Sequence, residues 1–175
     1  MLDSKFILGK VPIGDKTKVA DLGCGATGHF VFPLGKLVGK RGVVYAVDIL
    51  KTVLENINRR ARLERFENVR TVWTDLEVFG ATKIESGSLD VALLINTLYL
   101  SKKRAQILRE AARMLKKNGK LLIVEWKSIS SPLGPPADER VRVDLLKTAA
   151  PKIGLELEEE FSAGEYHYGL IFNKS

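Results

Sequence analysis

Lys18-Val-Ala-Asp-Leu-Gly-Cys-Gly-Ala-Thr-Gly28 is the stretch on which the reading of this chain turns. An apolar run closes on an acidic residue, glycines follow at 23, 25 and 28, and a helix is expected next. Glycine has no Cβ and tolerates positive φ, so a ligand can approach the backbone of such a turn closely. The spacing is that of G-x-G-x-x-G, which also marks dinucleotide binding. Asp21, two residues before the first glycine, narrows the choice. A negative charge at the tip of a first strand is poorly placed for a pyrophosphate and well placed for a ligand carrying an ammonium group.

Working outward, strand-like runs alternate with helix-like segments. The strand candidates cover 18–22, 43–49, 69–74, 89–96 and 120–127, each rich in Val, Ile or Leu. Most are nearly continuous apolar runs, as expected of parallel strands covered on both faces. Between them, Leu54, Ile57 and Ala61 repeat at helical spacing, and so do Ala105, Leu108, Ala111, Ala112 and Leu115. Ser101 reads as the N-cap of the second of these helices and Asn118-Gly119 as its stop. The pattern predicts an open parallel sheet wound on both sides. Towards the end the rhythm breaks. Residues 128–136 carry three prolines and a glycine and read as a long surface loop. A helix is expected over 138–150, then two strands over 155–162 and 166–173. The three residues between them demand a hairpin, because a parallel crossover needs about a dozen residues.

The 175 residues, 45% apolar and 28% charged, fit one globular domain with a real core. No apolar run reaches the roughly 18 residues of a membrane span. Met1-Leu-Asp-Ser-Lys-Phe-Ile-Leu-Gly9 has no basic flank leading into an apolar core, so no signal peptide is read and a cytoplasmic location is expected. Cys24 is the single cysteine, which excludes an internal disulfide and a multi-cysteine metal site. The net charge of +7 allows a nucleic-acid partner. Its distribution disfavours one: Arg59, Arg60, Arg62 and Arg65 share one predicted helix, Lys102, Lys103 and Arg104 open another, and Lys116, Lys117 and Lys120 close it. Solvated helix faces and helix-dipole compensation account for these groups.

Further polar residues end successive strands: Asp48 the second, Asp75 the third and Asn96 the fourth. Ligands of open α/β sheets bind outside the carboxyl ends of the strands, so these converge with Asp21 on one crevice. Each alone reads equally as a helix N-cap. All four at βα spacing are hard to obtain by chance.

On these residues the chain resembles the class I S-adenosylmethionine-dependent methyltransferases, more narrowly the ubiquinone/menaquinone-biosynthesis-type (methyltransferase type 11-like) branch. The turn at 18–28 looks like the family's first motif, Val-Tyr-Ala-Val-Asp48 its second, Asp75-Leu76 its third, and Leu89-Asp-Val-Ala-Leu-Leu-Ile-Asn96 its fourth. Arg113-Met-Leu-Lys-Lys-Asn-Gly-Lys-Leu-Leu-Ile-Val124 matches the segment leading into strand five. The resemblance implies a Rossmann-like α/β three-layer sandwich with a seven-stranded, mostly parallel sheet, order 3-2-1-4-5-7-6, whose last strand is antiparallel. It implies one domain over 1–175, with a short N-terminal extension over 1–17.

It also implies S-adenosylmethionine as methyl donor and S-adenosylhomocysteine as product. The cofactor-binding set it carries over is Asp21, Gly23, Cys24, Gly25, Gly28, Asp48, Ile49, Thr74, Asp75, Leu76 and Asn96. The glycine turn would hold the methionine part, and Asp21 would favour its ammonium. Asp48 would accept from both ribose hydroxyls. Asp75 would take the adenine amino group and the Leu76 N–H a ring nitrogen. Ile49 would pack on the ribose and adenine. Asn96 would act near the amino-acid end through its backbone carbonyl. Cys24 reads as a small filler of the turn rather than a nucleophile.

Methyl transfer from a sulfonium is an in-line displacement in which the protein supplies positioning, a desolvated channel and sometimes a base. Neither a catalytic triad nor a metal site is needed, and the sequence holds neither. The acceptor side should be bordered by the segments after strands four and five and by the final hairpin, making Tyr99, Glu125, Trp126, Tyr166 and His167 lining candidates. Tyr99 and His167 are the candidate catalytic residues, His167 as general base because imidazole titrates near neutrality. The alternative for His167 is a hydrogen-bonded strand histidine, and His29 reads as packing or helix-start chemistry. Asn96-Thr-Leu-Tyr99 stands where amino-methylating DNA and protein enzymes carry Asp/Asn-Pro-Pro-Tyr/Phe, and one cysteine disfavours arsenite as acceptor. A small organic acceptor is favoured over RNA or protein. An NAD-type oxidoreductase and a non-catalytic cofactor-binding subunit are the alternatives. Because the first motif begins about 18 residues into the chain, the pocket is expected either to be open or to be closed by a second copy in a homodimer.

Overall fold

A computed structural model describes residues 1–175. Seven strands form one sheet in the order β3-β2-β1-β4-β5-β7-β6. They are β1 (Lys18–Leu22), β2 (Val43–Asp48), β3 (Val69–Trp73), β4 (Leu89–Ile95), β5 (Leu115–Trp126), β6 (Leu155–Ser162) and β7 (His167–Lys174). The first five run parallel, and β7 lies antiparallel between β5 and β6. This is the expected Rossmann-like sheet and order.

Both faces are covered, which is why the inner strands read as continuous apolar runs. Period-two alternation sends Ala92, Leu94, Leu121 and Ile123 to one side, where α4 (Arg104–Met114) and α5 (Val143–Ala149) pack with Ile107, Leu108, Ala111 and Leu146. It sends Val91, Leu93, Leu122 and Val124 to the other. There α1 (Ser4–Leu8), α2 (Val31–Leu37) and α3 (Lys51–Leu63) supply Ile7, Leu34, Leu54 and Ile57. No helix is long and apolar enough to cross a membrane.

Several boundaries differ from the sequence reading. The helix expected to stop at Asn118-Gly119 stops at Met114, and Leu115 already has extended backbone. Asn118 takes positive φ (63°) within a strand irregularity, where a Cβ on Gly119 would lie 2.9 Å from the Lys116 carbonyl oxygen. Lys116, Lys117 and Lys120 therefore sit on β5, and the helix-dipole explanation for them fails. Lys116 pairs instead with Asp90 at 2.7 Å, and Lys120 with Glu158. Ser101 is not the N-cap of α4; its hydroxyl accepts the Lys103 N–H (2.8 Å) and donates to Glu77 (2.6 Å). Arg65 lies beyond α3 at φ 58°. The helix expected over 138–150 begins only at Val143: before it, Arg140 donates back to the Pro135 carbonyl and the Val141 carbonyl accepts the Tyr168 hydroxyl of β7.

Candidate functional site

The carboxyl ends of the parallel strands open into one cleft of about 1360 Å³. A single-ligand pocket typically measures about 300–1,000 Å³, so the cleft exceeds the space of one such ligand.

The cofactor half grows from the glycine turn. Gly23 and Cys24 donate their N–H groups to the Val47 carbonyl (2.8 and 3.0 Å), tying the turn to the neighbouring strand. Gly23 has φ 85°, and a Cβ there would meet the Thr97 hydroxyl oxygen at 2.7 Å. Thr97 itself is fixed by donating to the Leu22 carbonyl (3.0 Å). Around Gly25 (φ 68°), by contrast, a Cβ would meet nothing within 4 Å, which leaves that stretch of backbone facing open space. Asp48 accepts the Gly25 N–H on one oxygen (3.2 Å) and the Leu50 N–H on the other (3.0 Å), leaving a lone pair free on each. Asp75 accepts the Glu77 N–H (2.9 Å), which closes the turn after β3.

Asp21 is almost wholly buried, and its Oδ2 has no hydrogen-bond partner. Burial, and then the Asp48 charge, push its carboxyl up to about 7. A buried polar atom without a partner is costly unless a ligand completes it. Asn96 repeats the feature: it holds positive φ (52°), and its Oδ1 is buried without a partner. Burial raises the Cys24 thiol further from ionisation, as a filler of the turn would require. All eleven residues of the expected cofactor set line the cleft; apart from the exposed Ile49 and the turn glycine Gly25 they are buried or half-buried.

The acceptor half corrects two expectations. Trp126, Tyr166 and His167 line the cleft, but Tyr99 and Glu125 do not. Tyr99 packs against the hydrophobic layer under α4, and burial, then Glu125 and Glu139, raise its phenol. Glu125 is fully buried and accepts the N–H groups of Leu98 (2.7 Å) and Tyr99 (3.4 Å), which fixes the segment after β4. Burial pushes it up to about 7 against the pull of those donors. His167 packs against Trp126 with ring centroids 4.1 Å apart and planes tilted by 42°, and its Nε2 is buried without a partner. Burial, then the positive charges of the N-terminal amine and Lys127, push its imidazole down to about 4. It is thus a neutral ring with a vacant nitrogen and not the hydrogen-bonded strand histidine of the alternative.

Three contributors escaped the sequence reading. Arg60, read as part of a solvated face, crosses to the Thr27 carbonyl (2.9 Å), stacks 4.0 Å over the Phe32 ring and lines the cleft. Met1, Leu2 and Ser4 form part of the wall, with Leu2 held through its carbonyl to His29 Nε2 (2.8 Å). The segment before the first motif therefore helps to close the cleft rather than leave it open, and His29 ties that segment down. Leu133 joins from the proline-rich loop. None has a local sequence signal, because each acts on residues far along the chain.

Comparisons with known proteins agree with this architecture. A S-adenosylmethionine-dependent methyltransferase structure from Aquifex aeolicus superposes with a TM-score of 0.89 at 21% identity, covering 99% of this chain and 90% of that one, which shows the fold. The demethylmenaquinone methyltransferase of Lactococcus lactis is 29% identical over 129 residues, 73% of this chain and 50% of that protein. The arsenite methyltransferase of Aquipseudomonas alcaligenes is 32% identical over 111 residues, 61% of this chain and 32% of that protein. The chain thus spans a third to a half of the length of these curated relatives. Residues 13–153 match the family model of a methyltransferase domain, and on that match the chain belongs to the class I methyltransferase domain family, with the ubiquinone/menaquinone-type enzymes among its relatives.

Proposed function

We propose that residues 1–175 act as a single domain that transfers a methyl group from S-adenosylmethionine to a small organic acceptor. The observation that carries this reading is the unpartnered, buried Oδ2 of Asp21 at the foot of the glycine turn. It suits an ammonium group, and the turn beside it faces open space at Gly25. The donor would supply an electrophilic methyl on sulfur. The backbone of residues 23–28 would hold its amino-acid part with Asp21 and Asn96. The free lone pairs of Asp48 would accept the ribose hydroxyls, and Asp75, Thr74, Leu76 and Ile49 would enclose the base.

This chain's own contribution to the chemistry would be orientation and exclusion of water. His167 would be the proton acceptor where the acceptor needs one. Its imidazole is pushed down to about 4, so it is unprotonated throughout the neutral range, at the cost of basic strength. A bound acceptor that shields it from the nearby positive charges would raise it towards its ordinary value. A small acceptor is supported by the aromatic lining of the second half of the cleft, where Trp126, Tyr166 and His167 meet. The names of two relatives, a demethylmenaquinone and an arsenite methyltransferase, support a small acceptor too. The lone, buried Cys24 argues against arsenite for this chain.

The test is incubation with methyl-labelled S-adenosylmethionine and cell extract separated into small-molecule, RNA and protein fractions. Label in the small-molecule fraction is expected. Label confined to RNA or protein would overturn the acceptor class. No label in any fraction, with S-adenosylhomocysteine still bound, would leave a cofactor-binding subunit. Thermal stabilisation by NAD and not by S-adenosylhomocysteine would overturn the whole reading.

A further inference from the structure

Arg140 is 6% exposed, yet none of its hydrogen bonds goes to a carboxylate. Its guanidinium is spent on main-chain carbonyls of the segment just before it. Nε donates to Pro135 (3.0 Å), Nη2 to Leu133 (3.2 Å), and Nη1 to both Lys127 (2.9 Å) and Ile129. Four carbonyls of one loop thus converge on one side chain. The composition of the loop explains the need: Pro132, Pro135 and Pro136 have no N–H, so the segment cannot enter a strand ladder or a helix. Without this donor its carbonyls would turn to water, and nothing in the backbone would hold the loop in one shape. A guanidinium brings five donors in a fixed fork, whereas an ammonium acts as a point charge.

The staple has a defined product. It folds the loop so that Gly134 (φ 84°) lies on the indole of Trp126, where a Cβ would come within 2.6 Å of the ring. His167 covers the indole from another side at 4.1 Å. Trp126 is thereby held between loop and hairpin, and Leu133 is delivered to the cleft wall. Neighbouring ties act in the same sense. Arg104 joins the Leu98 carbonyl (3.0 Å) to that of Glu139 (2.8 Å), and the Tyr168 hydroxyl donates to the Val141 carbonyl (2.7 Å).

We infer that Arg140 is a positioning residue that pre-forms the acceptor half of the cleft by folding the 128–136 loop over Trp126. The inference rests on the reading of this half of the cleft as the acceptor side. It predicts a split between the two halves: loss of the staple should loosen the acceptor wall and leave the cofactor turn untouched, since none of its four carbonyls belongs to that turn.

The test uses Arg140→Ala and Arg140→Lys in a Trp73→Phe background, which leaves Trp126 the only indole. Acrylamide quenching of Trp126 is expected to rise about threefold in both variants, as local opening exposes the ring. Added guanidinium ion should reverse the rise in Arg140→Ala. Affinity for S-adenosylhomocysteine by calorimetry should stay within about twofold, the scatter of uncoupled sites. In the labelled-extract assay the initial rate should fall most at low extract concentration and recover as extract is raised, the signature of weakened acceptor binding. Unchanged quenching in a folded variant would overturn the inference. So would parallel loss of S-adenosylhomocysteine affinity, or an equal loss of rate at every extract concentration. Should Arg140→Ala fail to fold, Arg140→Lys carries the same readouts. Failure of the functional reading is seen separately, as absence of S-adenosylhomocysteine binding by the parent protein; the quenching and rescue experiments still decide the role of Arg140.

Discussion

The two halves of the cleft are built by different means. The cofactor half consists of a glycine turn and short acidic side chains at the ends of adjacent strands, most of them bonded to backbone two to 23 residues away. The acceptor half is assembled from three segments tied together by long charged side chains. Lys127 donates to the carbonyls of Gly164 (2.9 Å) and Glu165 (3.1 Å), Glu125 holds the N–H groups of Leu98 and Tyr99, and Arg104 reaches Glu139. The contrast teaches how each half can vary. Turn geometry confines the first to few residue types, because positive φ and absent Cβ atoms admit little else. Tethers to carbonyls leave side chains such as Leu133 and Tyr166 free to differ, so the acceptor can change while the donor site stays.

The largest effect that would sharpen the contrast is expected from Gly23→Ala. The new methyl would sit 2.7–2.8 Å from Thr97 with φ at 85°. Strain and overpacking together should cost roughly 2–4 kcal/mol of stability, measured by denaturant unfolding. A cost under about 1 kcal/mol would show that the turn is more yielding than the acceptor wall.

Asp48→Ala comes next. Loss of a charged hydrogen-bond acceptor should weaken S-adenosylhomocysteine binding by roughly 1.5–3 kcal/mol in calorimetry. Trp126 quenching should not move, since the change lies in the other half. A change in both readouts would break the independence of the halves.

A third test uses protons. Asp21 is held up to about 7 in the free protein, so below that pH it is largely protonated. An ammonium ligand requires the carboxylate, and binding should therefore release protons and strengthen as pH rises from about 6 to 8. Calorimetry in two buffers of different ionisation enthalpy reads the release directly. The same raised value makes the folded state of the free protein bind more protons than the unfolded chain between the ordinary carboxylate range and about 7. Stability of the free protein should accordingly decline as pH rises through that window, with Glu125 adding in the same direction. Asp21→Asn should remove the proton release; a release that persists would assign it elsewhere.

The smallest effect is expected at Tyr99. Its ring lies outside the cleft against the layer under α4, so Tyr99→Phe should alter labelled-methyl transfer less than about twofold, as for substitutions away from a site. A tenfold loss would return Tyr99 to the acceptor half.

Legibility followed the range of the interactions. The bounds of β1 to β4 were readable within a residue, because a strand covered on both faces must be apolar along its length. Asp21, Asp48, Asp75 and Asn96 were readable because strand ends of a parallel sheet meet at one edge. Asn118-Gly119 misled because the same turn chemistry serves a strand irregularity as well as a helix stop. Glu125 and Trp126 are neighbours in sequence with opposite fates: alternation turns one towards the layer under α4 and the other towards the cleft.

The sequence by itself determined an open parallel sheet ending in a hairpin and the edge at which Asp21, Asp48, Asp75 and Asn96 converge, since turn residues and apolar periodicity act within one βα unit. The strand order followed only from the family resemblance. Tertiary structure alone decided which side chains face the acceptor. Only packing removed Tyr99 and Glu125 from the cleft, brought Arg60, Leu2 and Leu133 into it, and left His167 a neutral ring with a vacant nitrogen. The physical reason is that burial, and the partners that compensate for it, are set by residues tens of positions away, and no local pattern records them.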